Sequence, residues 1–281
     1  MALAKTTRPT VTGSLARPRL FRFLDRARKA PVTWVSAPPG AGKTILVASY
    51  LVARKLSSCW YQIDDGDNDL ATFFYFLGLA APKRRRPLPL FTPEYRQGIS
   101  TFTRNFFREL YSRLKTPFVL VFDNYQEVPV DSELHDVMRD AVMELPQRGR
   151  AIFISRSEPP ASFARLRAQQ AVEILDWPEL RFTEAEMGGL VRKLAPGRRK
   201  ESISHVYRSA DGWAAGLVLL LEHQGNGHAS SNHGKKSSEV LFDYFAGEIF
   251  KKLPSETKEV LLQTAFLPRV TVSMAEKLTG E

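Results

Sequence analysis

The run Ala37-Pro38-Pro39-Gly40-Ala41-Gly42-Lys43-Thr44 holds the most specific chemistry in this sequence. Its spacing is that of a phosphate-binding loop, with Ala37 where the first glycine usually stands. Small residues at Gly40, Ala41 and Gly42 let successive backbone N–H groups wrap phosphate oxygens. A helix beginning at Gly42 then points its N-terminus at the same oxygens. Lys43 is placed to reach β- and γ-phosphates, and the Thr44 hydroxyl to ligate Mg²⁺. Pro38 and Pro39 fix φ at the loop entrance. Pro39 and Ile45 flank the loop and complete the nucleotide-contacting set expected here. The ligand this predicts is a purine nucleoside triphosphate with its Mg²⁺.

A second acidic position fits the same chemistry. Phe118-Val119-Leu120-Val121-Phe122-Asp123 is a continuous apolar strand ending in a carboxylate. That is the form of a Walker B strand, with Asp123 in the Mg²⁺ shell. Hydrolytic enzymes of this class usually carry an acid at the next position, and here it is Asn124. A neutral amide orients water but does not accept its proton at pH 7. Glu127, three residues beyond the strand end, is expected to point elsewhere. Arg156, at the tip of the strand 150–155, is placed to sense the γ-phosphate. Lys43, Asn124 and Arg156 are thus the candidate catalytic set, with Thr44 and Asp123 as metal ligands. The expectation is nucleotide binding with slow or absent hydrolysis. The alternative is an active P-loop ATPase that couples turnover to conformational work.

These residues need a framework, and the apolar periodicity supplies one. Strands are predicted at 32–36, 59–63, 118–122, 150–155 and 171–175. They alternate with helices at 42–55, across Phe73–Leu77, near 98–114, at 131–145 and in a short piece before 171. Ile45, Leu46, Ala48, Tyr50, Leu51 and Val52 supply the apolar positions of the first of these helices. Asp64 to Asp69 is an acidic turn able to cap the second. Such alternation predicts a parallel sheet with helices on both faces. Beyond Asp176-Trp177-Pro178 the pattern turns helical, at 183–195, 198–209 and 213–223. A Gly/Ser/Asn/His-rich linker from Gln224 to Ser238 follows, then helices near 237–252, 254–266 and 272–279. The last pattern stops at the chain end, as expected of a domain cut short.

The bulk numbers exclude several classes. The chain has 281 residues, 43% hydrophobic and 25% charged, which is an ordinary globular mixture and enough for two or three domains. Cys59 is the one cysteine, so an intrachain disulfide is impossible and a cytoplasmic location is expected. Beside Trp60 it reads as a small buried hydrophobe. Residues 1–9 lack the apolar core of a signal peptide, and Leu217–Leu221 is far too short to span a membrane. The net charge of +10 favours polyanionic partners, ATP and DNA among them. Lys83-Arg84-Arg85-Arg86 is its densest patch, between Pro82 and Pro87.

Several segments in order carry a family resemblance: Trp60-Tyr61-Gln62-Ile63-Asp64-Asp65-Gly66-Asp67-Asn68, Val121-Phe122-Asp123-Asn124-Tyr125, Ile154-Ser155-Arg156 and Asp211-Gly212-Trp213-Ala214-Ala215-Gly216-Leu217. Together they resemble the N-terminal nucleotide-binding module of the MalT-like, LuxR-type ATP-dependent transcriptional regulators, a branch of the STAND signalling ATPases. Lys252-Leu253-Pro254 and Leu261 through Pro268 resemble the opening of their winged-helix segment. The resemblance implies an α/β P-loop NTPase core of strand order 5-1-4-3-2, an all-helical lid and the start of a winged-helix domain. The corresponding boundaries are 1–177, 178–236 and 237–281. It also implies that Arg17 and Arg19, in Arg17-Pro18-Arg19-Leu20, lie near the adenine, and that Trp213 closes over the nucleotide. A closed ADP form, self-association with ATP and an inducer, and an output in transcription are implied too. In that family an acid usually stands where Asn124 is. The inducer-sensing repeats and DNA-binding helix-turn-helix do not occur in these residues, so DNA contact is expected only through a further domain.

Overall fold

Five strands form one parallel sheet in the order β2-β3-β4-β1-β5. They are β1 (Val32–Ser36), β2 (Ser57–Gln62), β3 (Phe118–Asp123), β4 (Gly149–Ser155) and β5 (Val172–Leu175). This is the expected order 5-1-4-3-2 read from the other edge. The structure, a computed structural model, describes residues 3–194, 210–225 and 255–265, with single positions at 247, 250, 267, 270, 271, 274 and 275. The expected helices at 198–209, 237–252 and 272–279, and most of the linker, fall largely or wholly outside the described residues.

Helix α1 (Pro18–Ala27) precedes the sheet; α2 (Lys43–Ala53), α3 (Leu70–Ala80), α4 (Ile99–Arg113), α5 (Leu134–Met143) and α6 (Ala164–Ala168) connect its strands; α7 (Trp177–Leu180) and α8 (Glu184–Leu194) follow it. Strand β1 and the continuously apolar β3 are buried at every position because helices cover both faces. On one face Trp34, Phe153 and Phe122 stack in a row across β1, β4 and β3, with ring centroids 5.1 and 5.2 Å apart. Phe73, Phe74, Phe106 and Phe107 join α3 and α4 to that layer, all fully buried. Each such side chain contributes roughly 1.5–3 kcal/mol through burial. The other face packs Val35, Val121 and Ile154 against Leu46, Val47, Tyr50 and Leu51 of α2. Cys59 lies in the first layer, 4% exposed, and burial pushes its thiol up to about 12.

Some element bounds differ from the sequence reading for physical reasons. Strand β2 begins two residues earlier, at Ser57, because it pairs with Phe118 and Val119 although its own side chains there are polar. Helix α5 starts at Leu134 rather than 131, since Ser132 turns back to bond Pro129. Ile45 and Val52 are on the outer face of α2, 40% and 43% exposed, and are not core positions. Asp69 caps α3 by accepting the Thr72 N–H at 2.9 Å, as the acidic turn predicted.

The chain divides into two compact units, Met1–Ala215 and Gly216–Glu281. The first contains the sheet and α1 to α8. The second contains most of the helix Ala214–Gly225, which runs through Gln224-Gly225 where the linker was expected to begin, and the helix Ser255–Thr264. Within it Leu217, Leu220 and Leu221 are buried. Among the described residues no helix is long and apolar enough to cross a membrane.

Candidate nucleotide-binding site

The loop 37–42 leaves β1 at the carboxyl edge of the sheet, between the ends of β4 and β5. Gly40 and Gly42 adopt φ of +71° and +84°, a left-handed backbone that glycine adopts without steric cost. Gly42 is the N-cap of α2. The first turn of a helix has no intrahelical acceptor for its N–H groups, so those of Lys43, Thr44 and Ile45 are not taken up by the helix's own carbonyls. Ala41 is wholly buried and anchors the turn.

Lys43 folds back over the loop. Its Nζ donates to the carbonyls of Ala37 at 2.5 Å and Pro38 at 3.0 Å. Burial lowers its pKa to about 8, helped by the charge of Arg156 and opposed by that of Asp123. Lys43 is therefore a desolvated cation with neutral carbonyl partners, and a polyphosphate would compensate it. Arg156 is exposed, one residue past the Ser36–Ser155 pairing that joins β1 to β4.

Thr44 Oγ1 donates to Asp123 Oδ1 at 3.0 Å, across a separation of 79 residues. The same carboxylate oxygen accepts the backbone N–H of Asn124 at 3.0 Å. Asp123 is 4% exposed; burial raises its pKa, while Thr44, the Asn124 N–H and Lys43 oppose the rise. A hydroxyl and a carboxylate converging beside a buried lysine form a hard-oxygen donor set of the kind Mg²⁺ takes, with remaining ligands from phosphate and water. The donor set and the glycine loop therefore fit a Mg²⁺-nucleotide. In that arrangement Thr44 and Asp123 would hold the metal, and Lys43 with the α2 N-terminus would hold phosphate. The bound metal would supply charge neutralisation.

Asn124 has φ +61°, so this position needs a residue that tolerates the left-handed region, as Asn does. The Glu127 carboxylate accepts a hydrogen bond from its neighbour Gln126 Nε2 at 3.0 Å.

Trp213 meets the loop directly. Its Nε1 donates to the Pro39 carbonyl at 2.9 Å, and the N–H of Ala215 donates to the Gly40 carbonyl at 3.0 Å. A Cβ on Gly40 would lie 2.6 Å from the Ala215 Cβ. Arg17 and Arg19 are set to one side, with protein partners. Arg17 Nη2 donates to the carbonyls of Leu180 and Arg181 and to Glu186, and Arg19 to the carbonyls of Glu179 and Arg181 and to Glu186. The Arg17 guanidinium also stacks 3.9 Å over the Phe182 ring. Arg17 Nη1 and Arg19 Nε are buried without a hydrogen-bond partner.

No protein-family model matches the chain. It is 28% identical over 290 residues to the HTH-type transcriptional regulator MalT of Vibrio cholerae, across 99% of this chain and 32% of that protein. Its similarity is to one part of that MalT regulator. The chain spans about a third of the length of the curated relative it matches. Among solved structures it resembles the Walker-type ATPase of Pyrococcus abyssi, with TM-score 0.57, 15% identity and coverage of 94% of this chain and 83% of that one. It also resembles a STAND protein with a tetratricopeptide repeat sensor from Pyrococcus horikoshii, with TM-score 0.51, 15% identity and coverage of 100% and 39%. At this identity the structural likeness establishes the fold, that of P-loop ATPases.

Three contributors to this site escaped the sequence reading. Ala215 acts through its backbone, which no residue type announces. Glu186 gathers Arg17, Arg19 and the Thr183 N–H; the Thr183-x-x-Glu186 spacing of a capping box was its signal. Trp34 lies mid-strand in β1, and its Nε1 donates to the Ser157 carbonyl at 2.9 Å, fixing the chain just past Arg156.

Proposed function

We propose that this chain is the nucleotide-sensing switch module of a MalT-like transcriptional regulator. It binds ATP or ADP with Mg²⁺, self-associates in the ATP form, and hydrolyses ATP slowly or not at all. The observation that carries this reading is the convergence of Lys43, Thr44 and Asp123 under a loop whose carbonyls at Pro39 and Gly40 bond Trp213 and Ala215. A ligand that moves this loop acts on Trp213 and Ala215 through two hydrogen bonds. Asn124 in place of an acid supports retention of ATP.

In this reading residues 1–177 are the core, 178–236 a lid, and 237–281 the opening of a winged-helix domain. Arg156 senses the γ-phosphate, and Arg17 and Arg19 set the N-terminal segment beside the adenine. DNA is contacted only through a domain outside these residues, and the protein works in the cytoplasm. Taking a two-state switch from 1:99 to 99:1 needs about 5.5 kcal/mol of differential affinity. A ligand at ~1,000 times its dissociation constant supplies about 4 kcal/mol. An inducer or regulatory protein supplies the rest.

Calorimetric titration with Mg²⁺-ATP and Mg²⁺-ADP tests the reading, with phosphate release and light-scattering mass followed in the same samples. Saturable binding, little turnover and a larger mass with ATP are expected. Multiple turnovers well above a Lys43→Ala control would move the active-ATPase reading to the front.

A further inference from the structure

A second cavity lies away from the phosphate loop, beside the edge strand β2. It has a volume of about 270 Å³ and lies between α3 and the proline-rich segment that follows it. Strands β3 and β4 separate β2 from β1, so the cavity shares no residue with the nucleotide site. Phe74 and Leu88 form a buried floor. Around the opening, Tyr75, Leu79 and Leu90 stay 50%, 48% and 60% exposed. Single exposed apolar residues are ordinary, but these three line one concavity.

The sequence keeps this space open. Gly78 of α3 places no side chain there, and a Cβ at that position would meet Leu88 only at 3.9 Å. Pro82, Pro87 and Pro89 prevent the following segment from extending α3, because proline lacks the N–H a helix interior needs.

The charged residues that line the cavity are all cations. Its lining includes Lys83, Arg84 and Arg113 and no carboxylate. Arg113 is paired with Glu109 at 2.9 Å, so its charge is compensated. Arg84 donates to the neutral Ser112 carbonyl. Among the described residues, Lys83, Arg84, Arg85 and Arg86 form no ion pair. We infer that this cavity binds a small amphipathic anion, an acyl or aryl body carrying one carboxylate. The apolar body lies on Phe74, Leu79 and Leu88, and the carboxylate faces Lys83 and Arg84. The net charge of +10 attracts any anion, and the apolar floor selects those with a hydrophobic body.

The test is calorimetric titration of the whole chain with decanoate below its micelle concentration, alongside decanol and decyltrimethylammonium. Decanoate is expected to bind saturably at one site, decanol about fivefold more weakly, and the cation not measurably. Lys83→Gln with Arg84→Gln should bring decanoate to the decanol level. Gly78→Leu, which fills the cavity, should weaken decanoate at least about tenfold. Leu79→Gln alters an exposed position, so it keeps the test valid if Gly78→Leu fails to fold, and should weaken binding about threefold. Equal affinity for decanoate and decanol would overturn the inference, as would no saturable binding, or decanoate binding unchanged in Leu79→Gln and Gly78→Leu. Co-sedimentation with anionic phospholipid vesicles that ignores Leu79→Gln would mark the cations as a membrane-surface contact and likewise overturn it.

Discussion

The indole Nε1 of Trp213 donates to the carbonyl of Pro39 at 2.9 Å, across 174 residues of sequence. It completes a series in which four successive loop carbonyls have donors. Lys43 Nζ takes Ala37 and Pro38, Trp213 takes Pro39, and the Ala215 N–H takes Gly40. The loop's carbonyls are thereby turned toward the lysine and the 213–215 segment. Phe182, under Arg17, bonds through its N–H to the Gly212 carbonyl at 2.9 Å and ties the N-terminal arginines to the same segment.

Trp213→Phe keeps an aromatic ring and removes the donor. One such bond is worth about 1 kcal/mol net, a factor of about five in an equilibrium. Release of fluorescent ADP, followed by stopped flow, should therefore quicken about fivefold. An unchanged release rate would mean the bond does not hold the nucleotide-bound loop.

Gly40→Ala brings two separable costs. The left-handed φ of +71° costs about 1 kcal/mol for a residue with a Cβ. The new Cβ would also lie 2.6 Å from the Ala215 Cβ and 3.1 Å from Trp213 Nε1. Adding Ala215→Gly should restore the larger part of the steric cost and leave the backbone part. Thermal unfolding of both variants measures this, with Gly98→Ala as a control at a position where a Cβ meets nothing within 4 Å.

Asn124→Asp puts an acid where Asn124 now stands and keeps a residue type that accepts φ +61°. Steady-state phosphate release should rise at least about tenfold, within the range of general-base effects. No rise would place the barrier elsewhere, in water positioning or in Arg156. Asn124→Ala should leave turnover low and cost about 1 kcal/mol of stability, since alanine disfavours that backbone.

Glu186 gives the fold an acid-sensitive joint. Burial pushes its carboxyl up, but the hydrogen bond and charge of Arg17, the Thr183 N–H and Arg19 outweigh burial and hold it below its ordinary value. A carboxylate lowered by folding stabilises fully above its unfolded pKa. That contribution fades as pH falls through the folded pKa. Chemical unfolding between pH 6 and 3 should show this loss below about pH 4.5. Glu186→Gln should lower stability by about 2 kcal/mol at pH 7 and flatten that part of the acid profile.

Much of the chemistry was legible from local pattern. The run Ala37–Thr44, the strand ending in Asp123 and the tip at Arg156 lie between elements whose periodicity marks them. The structure brings Lys43, Thr44 and Asp123 together at one edge of the sheet. Element ends were less legible, because pairing partners set them: Ser57 and Ser58 have no strand character of their own and join β2 through Phe118 and Val119. Arg17 and Arg19 could be picked out by motif, but their partners could not. Glu186 and the carbonyls of residues 179–181 come close only after α7 turns the chain back.

The sequence alone determined the local terms: which segments are strands and helices, where glycine permits a left-handed loop, and which side chains suit phosphate and Mg²⁺. Those follow from residue type and from spacings of two to eight residues. Only the tertiary structure decided that Trp213 and Ala215 lie on the loop, that Asp123 reaches Thr44 across β4, and that Lys43 is desolvated. Each depends on chain packing over separations of 79 to 174 residues or on the burial that packing produces, and neither leaves a periodic trace in sequence.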